Sequence, residues 1–68
     1  MGTLKELINY IQSKSGVQAI QIVYNNEIVY SGLTNCSTVE QWLDKQVAAF
    51  KWSFRYTNIS VVVRDELP

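Results

Sequence analysis

Phe50-Lys51-Trp52-Ser53-Phe54-Arg55-Tyr56 alternates aromatic with polar residues, and Ile59-Ser60-Val61-Val62-Val63-Arg64 alternates again just beyond it. Successive side chains of a strand point to opposite faces, so a period of two marks strands with one apolar face. A two-residue turn at Thr57-Asn58 pairs Tyr56 with Ile59, Phe54 with Val61 and Trp52 with Val63. Every aromatic then meets a β-branched partner, the cross-strand contact that stabilises a sheet. The other face of this hairpin carries Lys51, Ser53, Arg55, Ser60, Val62 and Arg64.

A second hairpin precedes it. The run from Val17 to Val23 is rich in β-branched residues, Asn25-Asn26 marks a turn, and Glu27 to Ser31 returns as a strand that Gly32 ends. A two-residue loop pairs Tyr24 with Glu27 and leaves both faces mixed. A three-residue loop pairs Tyr24 with Ile28 and Ile22 with Tyr30, gathering Ile20, Ile22, Tyr24, Ile28 and Tyr30 on one face. The second register is the preferred expectation, because a slip of one residue sends half the apolar set into water.

Each hairpin follows a helical pattern. Thr3-Leu4-Lys5-Glu6 reads as a capping box, and Leu4, Leu7, Ile8 and Ile11 form one apolar stripe, with Lys14 near the end and Ser15-Gly16 as the stop. Ser37 and Glu40 offer a second capping box, with Val39, Trp42 and Leu43 at helical spacing up to about Gln46. Val47-Ala48-Ala49 fits either the end of that helix or the start of the next strand. Asp65-Glu66-Leu67-Pro68 reads as a frayed tail. The expected architecture is therefore a single small α+β domain over residues 1–68, of order α-β-β-α-β-β. Two hairpins form one antiparallel sheet with both helices on one face.

With 68 residues and 47% hydrophobic content the chain has enough apolar material for one small core. Domains of this size are marginal without disulfides, a metal or a partner. Cys36 is the only cysteine and there is no histidine, so an internal disulfide is excluded and the usual metal-ligand spacings are missing. A well-packed core or self-association remains, and a homodimer by edge-strand pairing is one expectation. Six basic and six acidic side chains cancel, without the basic excess usual for general nucleic-acid binders. No stretch is long enough to cross a bilayer and no signal-peptide core is present, and a free thiol suits a reducing compartment. The expected location is cytoplasmic.

Catalytic patterns are sparse. Without histidine the commonest general base is missing, together with Ser-His and Cys-His nucleophilic pairs. Glu40 and Asp44 stand four residues apart, a spacing that puts two carboxylates on one helix face. Such a pair needs a pocket and further ligands before it does chemistry, and a solvated face with Glu40 serving the cap is the expectation. Cys36 precedes the second capping site and, with no resolving cysteine, is expected to be a small half-buried residue. No cofactor is expected.

Binding has more to work with. Lys51, Arg55, Val62 and Arg64 share one face of the last hairpin and form the candidate interaction surface, suited to an acidic partner or, as the alternative, to nucleic-acid phosphates. Interleaved aromatic and basic residues occur on sheets that stack RNA bases, but here the two classes point to opposite faces. Tyr10, Tyr24, Tyr30 and Trp42 form a second candidate, an aromatic patch of the composition favoured at protein interfaces, although core packing with each tyrosine hydroxyl at the rim is the preferred expectation for them.

The stretch Ile20-Gln21-Ile22-Val23-Tyr24-Asn25-Asn26-Glu27-Ile28-Val29-Tyr30-Ser31-Gly32, with Trp42-Leu43 and Asn58-Ile59-Ser60-Val61-Val62-Val63, resembles small phage and prophage proteins of low-GC Gram-positive bacteria. In that pattern a strand, a short Asn/Gly turn and an I-x-Y-x-G strand lead through a Leu-rich segment to a closing β-branched strand. Asn26 stands where the pattern commonly has Gly. The resemblance implies an accessory protein that binds a host or phage protein, and it carries no catalytic residues. The functional expectation is a non-enzymatic protein-interaction module, regulatory or inhibitory, with an unidentified protein partner and no membrane.

Overall fold

The computed structural model describes residues 2–53 and 58–65. A helix α1 (Leu4–Ser15) leads into strands β1 (Ala19–Tyr24) and β2 (Glu27–Leu33). A 3₁₀ helix over Ser37–Trp42 follows, and then β3 (Gln46–Ser53) and β4 (Asn58–Arg64). The four strands form one sheet in the order β2-β1-β4-β3.

The α+β class agrees with expectation; the purely antiparallel sheet does not. Each hairpin is antiparallel, but their inner strands β1 and β4 run parallel, so the sheet is mixed. The choice of inner strands follows from burial. Ile20 and Ile22 on β1, and Ile59, Val61 and Val63 on β4, are all buried, and side by side they form the floor of the core. The strands bearing Glu27, Ser31 and Lys51 take the edges. Leu4, Leu7, Ile8 and Ile11 of α1 close the core from above, joined by Val39 of the 3₁₀ helix and Val47 of β3.

α1 forms where its pattern places it. Thr3 is the N-cap, and its hydroxyl accepts from the Glu6 amide at 3.4 Å. The expected return bond differs: Thr3 Oγ1 donates to the Glu6 carboxylate at 3.5 Å. Gly16 ends the helix at φ 75°, with its amide donating to the Gln12 carbonyl. That left-handed backbone is what favours glycine there.

The second helix is shorter than expected and has no capping box. Cys36 rather than Ser37 is the N-cap, and no side chain caps the 3₁₀ helix. The carbonyls of Leu43 and Lys45 tie the segment that follows it to the start of α1. They accept the amides of Lys5 and Leu4 at 3.0 and 2.9 Å, supplying partners for two of the donors that a helix start leaves unpaired. A helix running to Val47 would need the Leu43 carbonyl for itself. The Val47 amide instead donates to the Gly2 carbonyl, and Val47-Ala48-Ala49 belongs to β3.

Both expected registers are revised. In the first hairpin Asn25 and Asn26 have φ of 52° and 64°, the geometry of a two-residue turn, and Tyr24 pairs with Glu27. A bulge between Ile22 and Val23 then absorbs Val29, so Ile22 still pairs with Tyr30. Ile28 is carried to the opposite face, paired with Val23 and 59% exposed. In the second hairpin Trp52 pairs with Ile59 and Phe50 with Val61. The expected turn at Thr57-Asn58 is replaced, since Asn58 already pairs with Ser53. From Ala49 to Ser53 the shift is four residues, an even number, so the same side chains keep the same face; a bulge at Ala48 then absorbs one further residue and brings Val63 opposite Val47 and Arg64 opposite Gln46. The expected pairs of Phe54 and Tyr56 lie outside the described residues.

Candidate functional site: the open face of the sheet

α1 and the 3₁₀ helix cover one face of the sheet. The register defines the other. Ile28 pairs with Val23, Val23 with Val62 and Val62 with Ala49, so one apolar residue from each strand forms a row across all four. Ile28 and Val62 are 59% and 41% exposed; Ala49 is exposed and Val23 half-buried. The neighbouring row is polar: Ser31, Gln21, Ser60 and Lys51. On the far side of the apolar row, Arg64 pairs with Gln46.

Three of the four residues expected as an interaction surface, Lys51, Val62 and Arg64, thus share this face; Arg55 lies outside the described residues. The flanking Lys51 and Arg64 make no ion pair among the described residues. The described carboxylates are elsewhere. Glu6 is on α1, Glu27 pairs with Tyr24 towards the helices, Glu40 and Asp44 lie in and after the 3₁₀ helix, and Asp65 bonds Tyr24. Among the described residues the open face therefore carries cations and no carboxylate. Sequence reading placed the cations but missed Ile28, Val23 and Ala49, which only the strand order and the bulge bring into line with Val62.

The aromatic candidates do not gather into one patch. Tyr10 is exposed on α1, with the Lys14 ammonium 5.9 Å from its ring centre. Tyr30 lies against Gly32, where an added Cβ would sit 2.8 Å from its hydroxyl, and it donates to the Leu33 carbonyl at 2.6 Å. Tyr24 and Trp42 do meet, with ring centres 5.5 Å apart, and both are half-buried. The Trp42 Nε1–H is buried with no acceptor among the described residues.

Tyr24 also belongs to a polar clamp. Its hydroxyl donates to Asp65 at 2.8 Å, and Lys45 Nζ meets the other oxygen at 2.6 Å while standing over the Tyr24 ring. Asp65, the first residue of the expected tail, is thereby tied to β1 and to the segment before β3. The Lys45 ammonium, and then the Tyr24 hydroxyl, hold the Asp65 carboxyl below its ordinary value. A depressed carboxylate stabilises the fold fully above the unfolded value of about 3.9 and loses that contribution as pH falls through the folded value. The stability difference between wild type and Asp65→Asn is expected to be constant and small near neutral pH, and to shrink below about pH 4. Thermal melts of both proteins across that range check it; a difference growing on acidification would contradict the clamp.

An open cleft of about 210 Å³ lies between α1 and the segment after β2, lined by Lys5, Gln12, Thr34, Cys36, Glu40 and Leu43 among others. Thr34, one of its lining residues, is buried, donating to Gln12 Oε1 at 2.9 Å and accepting from the Gln18 amide. Cys36 is exposed rather than half-buried, since as N-cap its side chain turns outward to Thr38. The Thr38 hydroxyl bond, chiefly, holds the thiol below its ordinary value. Glu40 and Asp44 lack the expected common helix face, because the 3₁₀ helix ends at Trp42.

No helix among the described residues is long and apolar enough to cross a membrane. No family model, curated protein or solved structure matches this chain.

Proposed function

We propose that this protein is a non-enzymatic binding module that engages a protein partner through the open face of its sheet. The observation that carries the reading is the exposed apolar row Ile28, Val23, Val62 and Ala49, bordered by Lys51 and Arg64. Contiguous apolar surface rimmed by polar groups is costly in water and marks interaction sites. The resemblance to small phage and prophage proteins is in keeping with an accessory role of this kind in the bacterial cytoplasm. Pairing of two copies along the outer strands is compatible with it. A sedimentation mass above the monomer at micromolar concentration would support such pairing.

Nucleic-acid binding through Lys51, Arg64 and Arg55 is the second reading, favoured by the cations alone. Trp52 and Phe50 pair with residues of the helix-covered face, so they offer no stacking platform beside Lys51 and Arg64. The test is affinity capture from a Gram-positive bacterial lysate, with and without nuclease, using wild type and Val62→Asp. A stoichiometric protein that survives nuclease and is lost with Val62→Asp is the expected result. Recovery abolished by nuclease, or unchanged by Val62→Asp in a protein with a wild-type circular dichroism spectrum, would overturn the proposal.

A further inference from the structure

We infer that the segment seated on this face is an amphipathic helix whose apolar stripe is flanked by carboxylates. The inference rests on the open-face reading and adds the chemistry of the partner. α1 and the 3₁₀ helix cover one face of the sheet, and the apolar row lies on the other. The apolar row crosses four strands, about 14 Å at ordinary strand spacing. A helix advances that far in about nine residues. Over that length it presents three or four side chains on one stripe, enough to follow the row.

Charge decides what borders the stripe. Lys51 stands on one side of the row and Arg64 on the other, both on the β3-β4 half of the sheet. A complementary helix therefore carries acidic residues on both flanks at the end lying over β3 and β4. The same charges argue against a second copy of this chain laid face to face. Such a dimer would confine four cations in an interface to which no described carboxylate contributes by register, a costly arrangement.

The test uses two synthetic helical peptides with the same leucine stripe, one flanked by Glu and the other by Lys, titrated into the isotope-labelled full chain at low salt. The Glu peptide is expected to shift the amides of Val23, Ala49, Lys51, Ser60 and Val62 and leave those of α1 in place. It is expected to bind about tenfold more tightly than the Lys peptide. Lys51→Glu with Arg64→Glu, with wild-type spectral dispersion, should reverse that preference. Equal binding of both peptides at the row would overturn the charge inference and keep the open-face reading. Shifts confined to the outer edges or to α1, or none with either peptide, would overturn both. Tighter binding of a thymidine oligonucleotide than of the Glu peptide would overturn the inference in favour of phosphate recognition.

Discussion

Ile22→Ala is expected to destabilise this protein by about 2–5 kcal/mol, the usual range for emptying a fully buried aliphatic site. Ile22 is 0% exposed, at the centre of β1, paired with Tyr30 on one side and Val61 on the other. A chain this short has a total stability of roughly 3–10 kcal/mol at ordinary per-residue values, so the variant should be close to or beyond its folding limit. Ile28→Thr is the companion. It keeps β-branching on an exposed residue of the same hairpin and should stay within about 0.5 kcal/mol of wild type. Urea unfolding of the three proteins gives the comparison. Equal losses at the two positions would mean that the bulge is wrong and that Ile28 belongs to the core.

Ser60→Pro should be nearly as damaging, although Ser60 is only half-buried and its side chain is small. β4 is paired on both sides, with Gln21 of β1 and Lys51 of β3 opposite Ser60. Proline removes an amide donor that an inner strand cannot spare and leaves an acceptor without its partner, a loss of about 2–4 kcal/mol. Ser60→Ala removes the hydroxyl alone and should cost well under half as much. Amide hydrogen exchange on wild type reads the same topology without mutation. The amides of β1 and β4 should be protected throughout their interiors, whereas those of β2 and β3 should alternate. Uniform protection in β2 with alternation in β4 would exchange inner and outer strands.

The candidate site was partly legible for one reason: faces follow parity. Lys51, Val62 and Arg64 share a face in the expected register and in the observed one, because the slip of four residues over Ala49–Ser53 preserves the side that Lys51 takes against β4, where Val62 and Arg64 alternate with the buried residues. Ile28 was placed wrongly because one bulged residue, Val29, reverses parity along half a strand. The preference for a fully apolar hairpin face pointed away from this arrangement. Positive φ at both Asn25 and Asn26 sets the tight turn, and the bulge then reconciles it with Ile22 against Tyr30. The 3₁₀ helix was misjudged for a related reason. Its capping pattern is local, whereas the Leu43 carbonyl, which an extension through Val47 would need, is held by the Lys5 amide at the start of α1.

Local chemistry in the chain determined α1, its caps, the four strands and the segregation of aromatic from cationic residues in the last hairpin. Each of these rests on neighbours within a few positions, where periodicity and backbone preference act directly. Strand order, the parallel central pair, the bulge and the apolar row on the open face were decided by tertiary structure alone. They depend on which strands lie side by side, and that is settled by burying Ile20, Ile22, Ile59, Val61 and Val63 together beneath one helix, a condition on the whole chain that no short stretch of it contains.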